Sequence, residues 1–395
     1  MNLKWRYEIL TMADKVAIIG VGYTPPRPLT PDVSYKEMTY EAAVKSYHDA
    51  NLSSHKDIDG FVTCAEDLLE GTSIFDEYTP DQLGAVQKPM HTISGDALYG
   101  IATAYMKIKT GLMNIVVVEA HSKASNIKTL PHILNYAVDP ILNRPLNLHP
   151  YYIAGLEMQS FLAQTKTTPE QCASVVVKNK KNALRNDLSC FGANLTLQEV
   201  LNSAQTFSPL TKLQTVDHVD GAIVFVLASE KTAKKLHKKP IWVKGCGWIS
   251  DSPTLETRNW DECDYAKLSS KMAYKQAGIK NPRTQIDFFE VDDTFSYKEL
   301  QHLEAIGVYK KGTAGEACLK GDLNPTGKTP VNVSGGSLGI GSLLEASGGF
   351  RILEIIKQLR GEAGVRQLKK NKTALALAWR GIPTASGACV ILATK

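Results

Sequence analysis

Apolar positions along the chain follow two periodicities, and the elements they predict come in a definite order. KVAIIGVG (15–22) is an apolar run closed by glycines, which predicts a buried strand and a tight turn. Residues 34–50 carry Tyr40, Ala43, Val44 and Tyr47 at helical spacing. DIDGFVT (57–63) predicts a second short strand. SGDALYGIATAYMKIKTG (94–111) predicts a glycine-started helix, and NIVVVEA (114–120) the strand after it.

The order returns in the second half. PIWVKGCGW (240–248) is again a strand ending in glycines, and DYAKLSSKMAYKQAG (264–278) a helix. QIDFFEVDD (285–293) is the next strand, sharing the phrase Ile-Asp-x-Phe with 57–62. GSLGIGSLLEASGGFRILEIIKQLRG (336–361) is a glycine-rich turn and helix, and TALALAW (373–379) the following strand. GAIVFVLAS (221–229) and GACVILAT (387–394) close the two halves. The chain therefore reads as a duplicated β-α-β-α-β-β unit of α/β class. Its mainly parallel sheets are expected to share a central layer holding both glycine-started helices.

The expected boundaries are 14–120 with 216–238 for the first half and 239–395 for the second. An inserted loop domain spans 121–215, and an N-terminal extension 1–13. The insertion holds helical stretches at 168–184 and 196–204 among proline-broken loops. Insertions at strand ends are where ligand-binding loops sit.

Composition narrows the function classes. Of 395 residues, 43% are hydrophobic and 22% charged, an ordinary globular balance. The net charge of +5 is spread along the chain. Lysines cluster at Lys178, Lys180 and Lys181, and at Lys234, Lys235, Lys238 and Lys239. These are solvated helix faces or a positive surface for an anionic ligand. No basic stripe interleaves with aromatics, which argues against nucleic acid. Seven cysteines without a CxxC pair indicate neither a zinc site nor a disulfide framework, and fit a reducing cytoplasm. No apolar run has membrane-spanning length. The segment MNLKWRYEILTMADK is too polar for a signal peptide, and Met12 is a plausible alternative start.

In their order and spacing, several segments resemble the thiolase superfamily, in its sterol-carrier-protein-type branch. They are KVAIIGVGYTP, SGDALYGIATAYMKIKTG, PEQCASVVVKNKKNAL, DHVDGAIVFVLASE, FFEVDDTFSYKELQHLEAIGV, VNVSGGSLGIGSLLEASG and SGACVIL, over about residues 14–395. The resemblance implies a five-layer α-β-α-β-α core with a loop domain. It implies chemistry on carbon–carbon bonds next to a coenzyme A thioester, bound as substrate or ligand, with no permanent cofactor. It also implies a homodimer or a heteromer with a thiolase paralogue, and in some relatives a small OB-fold, zinc-ribbon partner.

The residues depart from the family where its chemistry sits. The family's nucleophilic cysteine, in a Cys-Ala-Ser-Gly pattern at a helix start, falls on Thr92 of HTISGD, with Ser94 and Gly95 retained. A helix start stabilises a thiolate, whereas a threonine hydroxyl has a far higher pKa. The histidine of His-Asp-x-Phe falls on Asp292, and that of Gly-His-Pro-x-Gly-Ala on Ser342, with Glu345 at a glycine. Gly335, Gly336, Gly339 and Gly341 remain, and are expected either to offer backbone N–H groups to a thioester or phosphate oxygen or only to make a tight turn. The C-terminal loop AWRGIPTASG (378–387) holds no cysteine, and Cys389 falls inside the following strand. Cys64, Cys246 and Cys318 do not stand at helix starts.

Asp292, Tyr297 and Asp96 are the candidate proton-transfer set. Tyr99, on one face with Asp96, and His121 are candidates of a second rank. Three functions follow. The chain is an enzyme on acyl-CoA, either an atypical acyltransferase or an aldolase-like lyase without a covalent intermediate. Otherwise it is a non-catalytic subunit, or a thiolase with a displaced nucleophile.

Overall fold

The computed structural model describes residues 15–71, 74–236 and 239–395. The expected N-terminal extension and Lys238 lie outside the described residues. The strands are β1 (Val16–Tyr23), β2 (Gly60–Cys64), β3 (Met90–Ile93), β4 (Ile115–Lys123) and β5 (Asp220–Ser229) in the first half. The second half holds β6 (Ile241–Ile249), β7 (Phe288–Val291), β8 (Thr373–Trp379) and β9 (Gly387–Ala393). Helices of at least ten residues are numbered here: α1 (Tyr35–Ala50), α2 (Ala97–Lys109), α3 (Tyr152–Thr165), α4 (Pro169–Ala183), α5 (Asp264–Ala277), α6 (Ser296–Ala305) and α7 (Ser347–Arg360).

The duplication is visible in the packing. β1 and β6 each shift register at a glycine, Gly20 and Gly245. Each then lays a glycine pair against the backbone of the next helix. A Cβ on Gly22 would stand 2.1 Å from Ala42 O, and one on Gly247 2.1 Å from Ser269 O. The helices α1 and α5 therefore sit flush on their strands. In α1 the buried face runs through Met38, Ala42, Ala43, Ser46 and Tyr47, while Tyr40 and Val44 are exposed. The apolar spacing alone misplaced that face, because small residues are what close packing on a glycine strand requires.

The halves do not form two separate sheets. β1 pairs with β6 over Val16↔Val243, Ala17↔Trp242 and Ile18↔Ile241, which joins everything into one nine-stranded sheet, β3-β2-β4-β5-β1-β6-β9-β8-β7. Helix α2 packs on β2, β4 and β5 of the first half and on β6 and β9 of the second. It also meets α7, so the two central helices lie between the arms of the sheet, with α1 and α5 outside. This is the five-layer α/β arrangement. A continuous apolar core runs through the central layer, from Val62, Leu98 and Ile101 to Ile352, Ile355 and Ile356.

Candidate active site

β2, β3 and β4 run parallel to one another, as do β7 and β8. Their carboxyl ends open at the starts of α2 and α7, where open α/β sheets place ligands. Glu66 follows β2, Ser94 follows β3, Asp292 follows β7 and Arg380 follows β8. Ser94 is hydrogen-bonded to Arg380, and Glu66, Asp292 and Arg380 line a cleft of about 90 Å³. The inserted segment covers it with Leu130, Leu134 and Tyr151. A second chamber of about 390 Å³ adjoins it, reached past the same three residues and His218, with Lys128, Lys212 and His149 on its walls.

Asp96 is the N-cap of α2, and its carboxylate also binds α7. Oδ1 accepts from Leu98 N at 2.9 Å and Oδ2 from Gly348 N at 2.6 Å. One side chain thus ties both central helix starts. Gly348 is glycine for that reason, since a Cβ there would lie 2.0 Å from the Asp96 carboxylate. Burial raises the Asp96 pKa to about 6, against the pull of Arg351 and the two amides. A carboxyl titrating there is suited to proton transfer near neutral pH.

Asp292 lies on the same cleft but is engaged. Arg351 holds its Oδ2 at 2.7 Å and also donates to Ser337 Oγ at 2.9 Å. Burial pushes the Asp292 pKa up, and Arg351, His302 and the hydrogen bonds from Thr294 together outweigh it, leaving a net depression. The neighbouring Asp293 faces away from the cleft. It accepts from Ser337 N, Leu338 N and Asn179 Nδ2 at 2.6, 3.2 and 2.8 Å, and burial raises its pKa to about 7.

At the rim, Arg380 donates to Glu66 Oε1 at 2.7 Å and to Ser94 Oγ at 2.8 Å. Glu345 Oε1 accepts from Glu66 N at 2.9 Å. Leu344 carries Glu345 to the wall in a left-handed turn (φ 47°). For a bulky residue that conformation costs about 1–3 kcal/mol, a strain that recurs at functional sites.

Other expected site residues stand elsewhere. Tyr297 is not on the cleft. It is fully buried, and its hydroxyl donates to Glu157 Oε2 at 2.7 Å. Thr92 is on β3 and donates to Asp76 Oδ1 at 2.8 Å. The glycine amides are consumed locally: Gly336 N donates to Ser334 Oγ, Gly339 N to Gly335 O and Gly341 N to Ser337 O. Those glycines serve close packing instead, Gly336 on Asp293 and Gly339 on Ala183. Gly95 (φ 141°) makes the turn before Asp96, over the Tyr99 ring. Ser342 does line the cleft. Among the described residues no cysteine lines either chamber, and burial drives the Cys64 thiol far up.

Sequence reasoning singled out neither Glu66, Arg380 nor His218. Glu66 and Arg380 carry a signal, since Arg380 directly follows a predicted strand and Glu66 stands three residues after one. His218 carries none, because it reaches the cleft through a bridge to Ser342, 124 residues away.

Comparison with known proteins adds the following. Residues 250–394 match the family described as thiolase C-terminal domain-like. Sterol carrier protein 2 of Bos taurus is 27% identical over 390 residues, covering 92% of this chain and 70% of that protein. An acetyl-CoA acetyltransferase of Methanothermobacter thermautotrophicus is 28% identical over 362 residues, covering 90% and 93%. The solved Ltp2-ChsH2(DUF35) aldolase superposes with a TM-score of 0.82 at 24% identity, over 98% of this chain and 99% of that one.

Proposed function

Because the chain belongs to the thiolase superfamily, in its sterol-carrier-protein-type branch, we propose that its cleft binds an acyl-CoA-type thioester and acts on the carbon–carbon bond beside it without an acyl-cysteine. One observation carries this reading. Where both central helices start, the cleft presents a carboxyl with a pKa of about 6, Asp96, and among the described residues no thiol. Asp96 exchanges a proton with an oxygen of the ligand, and Lys128 attracts the phosphates at the outer end.

A lyase of aldolase type is the second reading, favoured by the same carboxyl. A base of that strength removes a β-hydroxyl proton without a covalent intermediate. Pairing belongs to the proposal too, as a homodimer, a heteromer with a thiolase paralogue, or a complex with a small OB-fold, zinc-ribbon protein in the cytoplasm. β3 ends the sheet, with only β2 beside it, which leaves an edge for a partner strand. Among the described residues no helix is long and apolar enough to cross a membrane.

The test is equilibrium titration with acetyl-CoA, β-hydroxybutyryl-CoA and free CoA, followed by product chromatography. The thioesters are expected to bind saturably and at least one to turn over. Binding without turnover assigns the non-catalytic role. No binding of any thioester, with or without a partner, overturns the proposal.

A further inference from the structure

Leu130, Leu134, Tyr151 and His218 line both chambers, so a ligand filling the cleft from end to end passes between them. Of these four, His218 alone exchanges a proton near neutral pH. Its backbone is fixed beside Ser342. Ser342 N donates to Asp217 O at 2.8 Å and Val219 N to Ser342 O at 2.9 Å. Residues bridged in this parallel way send their side chains to the same side.

The ring itself is uncommitted. Among the described residues nothing hydrogen-bonds either ring nitrogen. The adjacent carboxylate, Asp217, pairs with Lys212 at 2.8 Å instead. A partly buried imidazole with both nitrogens free, at the junction of two chambers, is placed to meet a ligand rather than to hold the fold. Burial lowers its pKa, against the pull of Asp217, so a basic nitrogen is available at neutral pH.

The chambers set the ligand's direction. Four carboxylates, Glu66, Asp96, Asp292 and Glu345, stand with Arg380 on the inner one, whereas the outer one carries Lys128 beside the paired Lys212 and Asp217. An anionic thioester therefore keeps its phosphates outside and threads its acyl end inward. That leaves the thioester carbonyl at the junction and only about 90 Å³ beyond it. An acyl group of a few atoms fits that volume.

We propose that His218 is the group that exchanges the proton on the carbon next to the thioester carbonyl of a short acyl-CoA. A ring nitrogen takes the proton. The C–H pair becomes the carbon–carbon π bond of the enolate, and the carbonyl π pair moves onto oxygen. Return of a proton from the imidazolium restores the thioester. This step rests on the acyl-CoA reading above.

The experiment follows acetyl-CoA with the full chain in D₂O by NMR, reading loss of the acetyl C–H signal. The same samples report the ring C–H of His218, assigned by its absence in His218→Gln. The wild type is expected to exchange the acetyl protons, and the His218 signal to shift as acetyl-CoA saturates. His218→Gln is expected to bind within about threefold of wild type and to exchange about a hundredfold more slowly or worse. Exchange at the wild-type rate in His218→Gln overturns the proposal, as does an unmoved ring signal in saturated wild type. Either failure leaves the acyl-CoA reading standing as long as acetyl-CoA binds. If acetyl-CoA does not bind the wild type, the reading falls and the proposal with it.

Discussion

Two groups of ionisable side chains lie on either side of the segment that follows β7. On one side are the cleft residues Asp96, Asp292, Glu66, Arg380 and His218. Behind them lie Tyr297, Glu157, Lys298, Tyr265 and His302. The rear group is closed on itself. Lys298 Nζ meets Glu157 Oε2 at 2.6 Å and stands 4.2 Å from the centre of the Trp379 ring. His302 Nδ1 donates to Asp292 O at 2.9 Å, which leaves Nε2 to accept from the Tyr265 hydroxyl at 2.7 Å. Burial and Lys298 depress the His302 pKa to about 4, fixing it neutral. The cleft group keeps a carboxyl near neutrality and an imidazole without partners. Charge alone therefore does not mark a site. What distinguishes the two is whether the groups have exhausted one another.

Lys298→Ala gives the largest expected effect. It strands the Glu157 carboxylate in the interior, which costs about 3–5 kcal/mol, read from denaturant unfolding. A loss below about 1 kcal/mol would break the comparison. Tyr297→Phe removes one buried hydrogen bond to that carboxylate and is expected to cost about 1–3 kcal/mol. Its acetyl-CoA binding should stay at the wild-type level. A binding defect in a stably folded Tyr297→Phe would return that tyrosine to the site.

Asp96→Asn sharpens the other side. Asparagine still caps α2 through its oxygen but turns its amide nitrogen toward Gly348 N, so the stability loss should be about 1–3 kcal/mol. The rate of β-hydroxybutyryl-CoA cleavage should change more. With the aspartate it rises as pH increases through about 6, since the base works when deprotonated, and with asparagine that rise should vanish. A pH-dependent effect concerns Glu290, whose pKa burial and Glu354 push up to about 8. Its folded-state pKa exceeds the ordinary value. The stability tied to its proton is therefore complete below about pH 4 and lost as pH climbs through about 8. The melting temperature should fall over that interval, and Glu290→Gln should flatten the fall.

The duplicated core was legible because it is written in local pattern: glycine-closed strands, helices of matching spacing and paired closing strands. Two features were not. The strand β3 is four residues long and half-exposed, too short to show a period. Helix α3 was read as proline-broken loop, although Pro150 precedes it rather than interrupting it. The site was half legible. Asp96 and Asp292 sit at element ends that the pattern located, and the structure puts both on the cleft. Tyr297 was singled out for its nearness in sequence to Asp292, and helix α6 turns its side chain inward to Glu157. His218 was hidden because motif positions are compared along the chain, while its neighbour Ser342 comes from the other half.

The central claim is that this cleft handles a thioester without bonding to it. Intact-protein mass spectrometry after incubation with acetyl-CoA and acid quenching tests that directly. The expected spectrum shows unmodified protein at every time point while acetyl-CoA is bound or turned over. A saturable acetyl adduct mapping to Cys64, Thr92 or any other side chain of the site would contradict it.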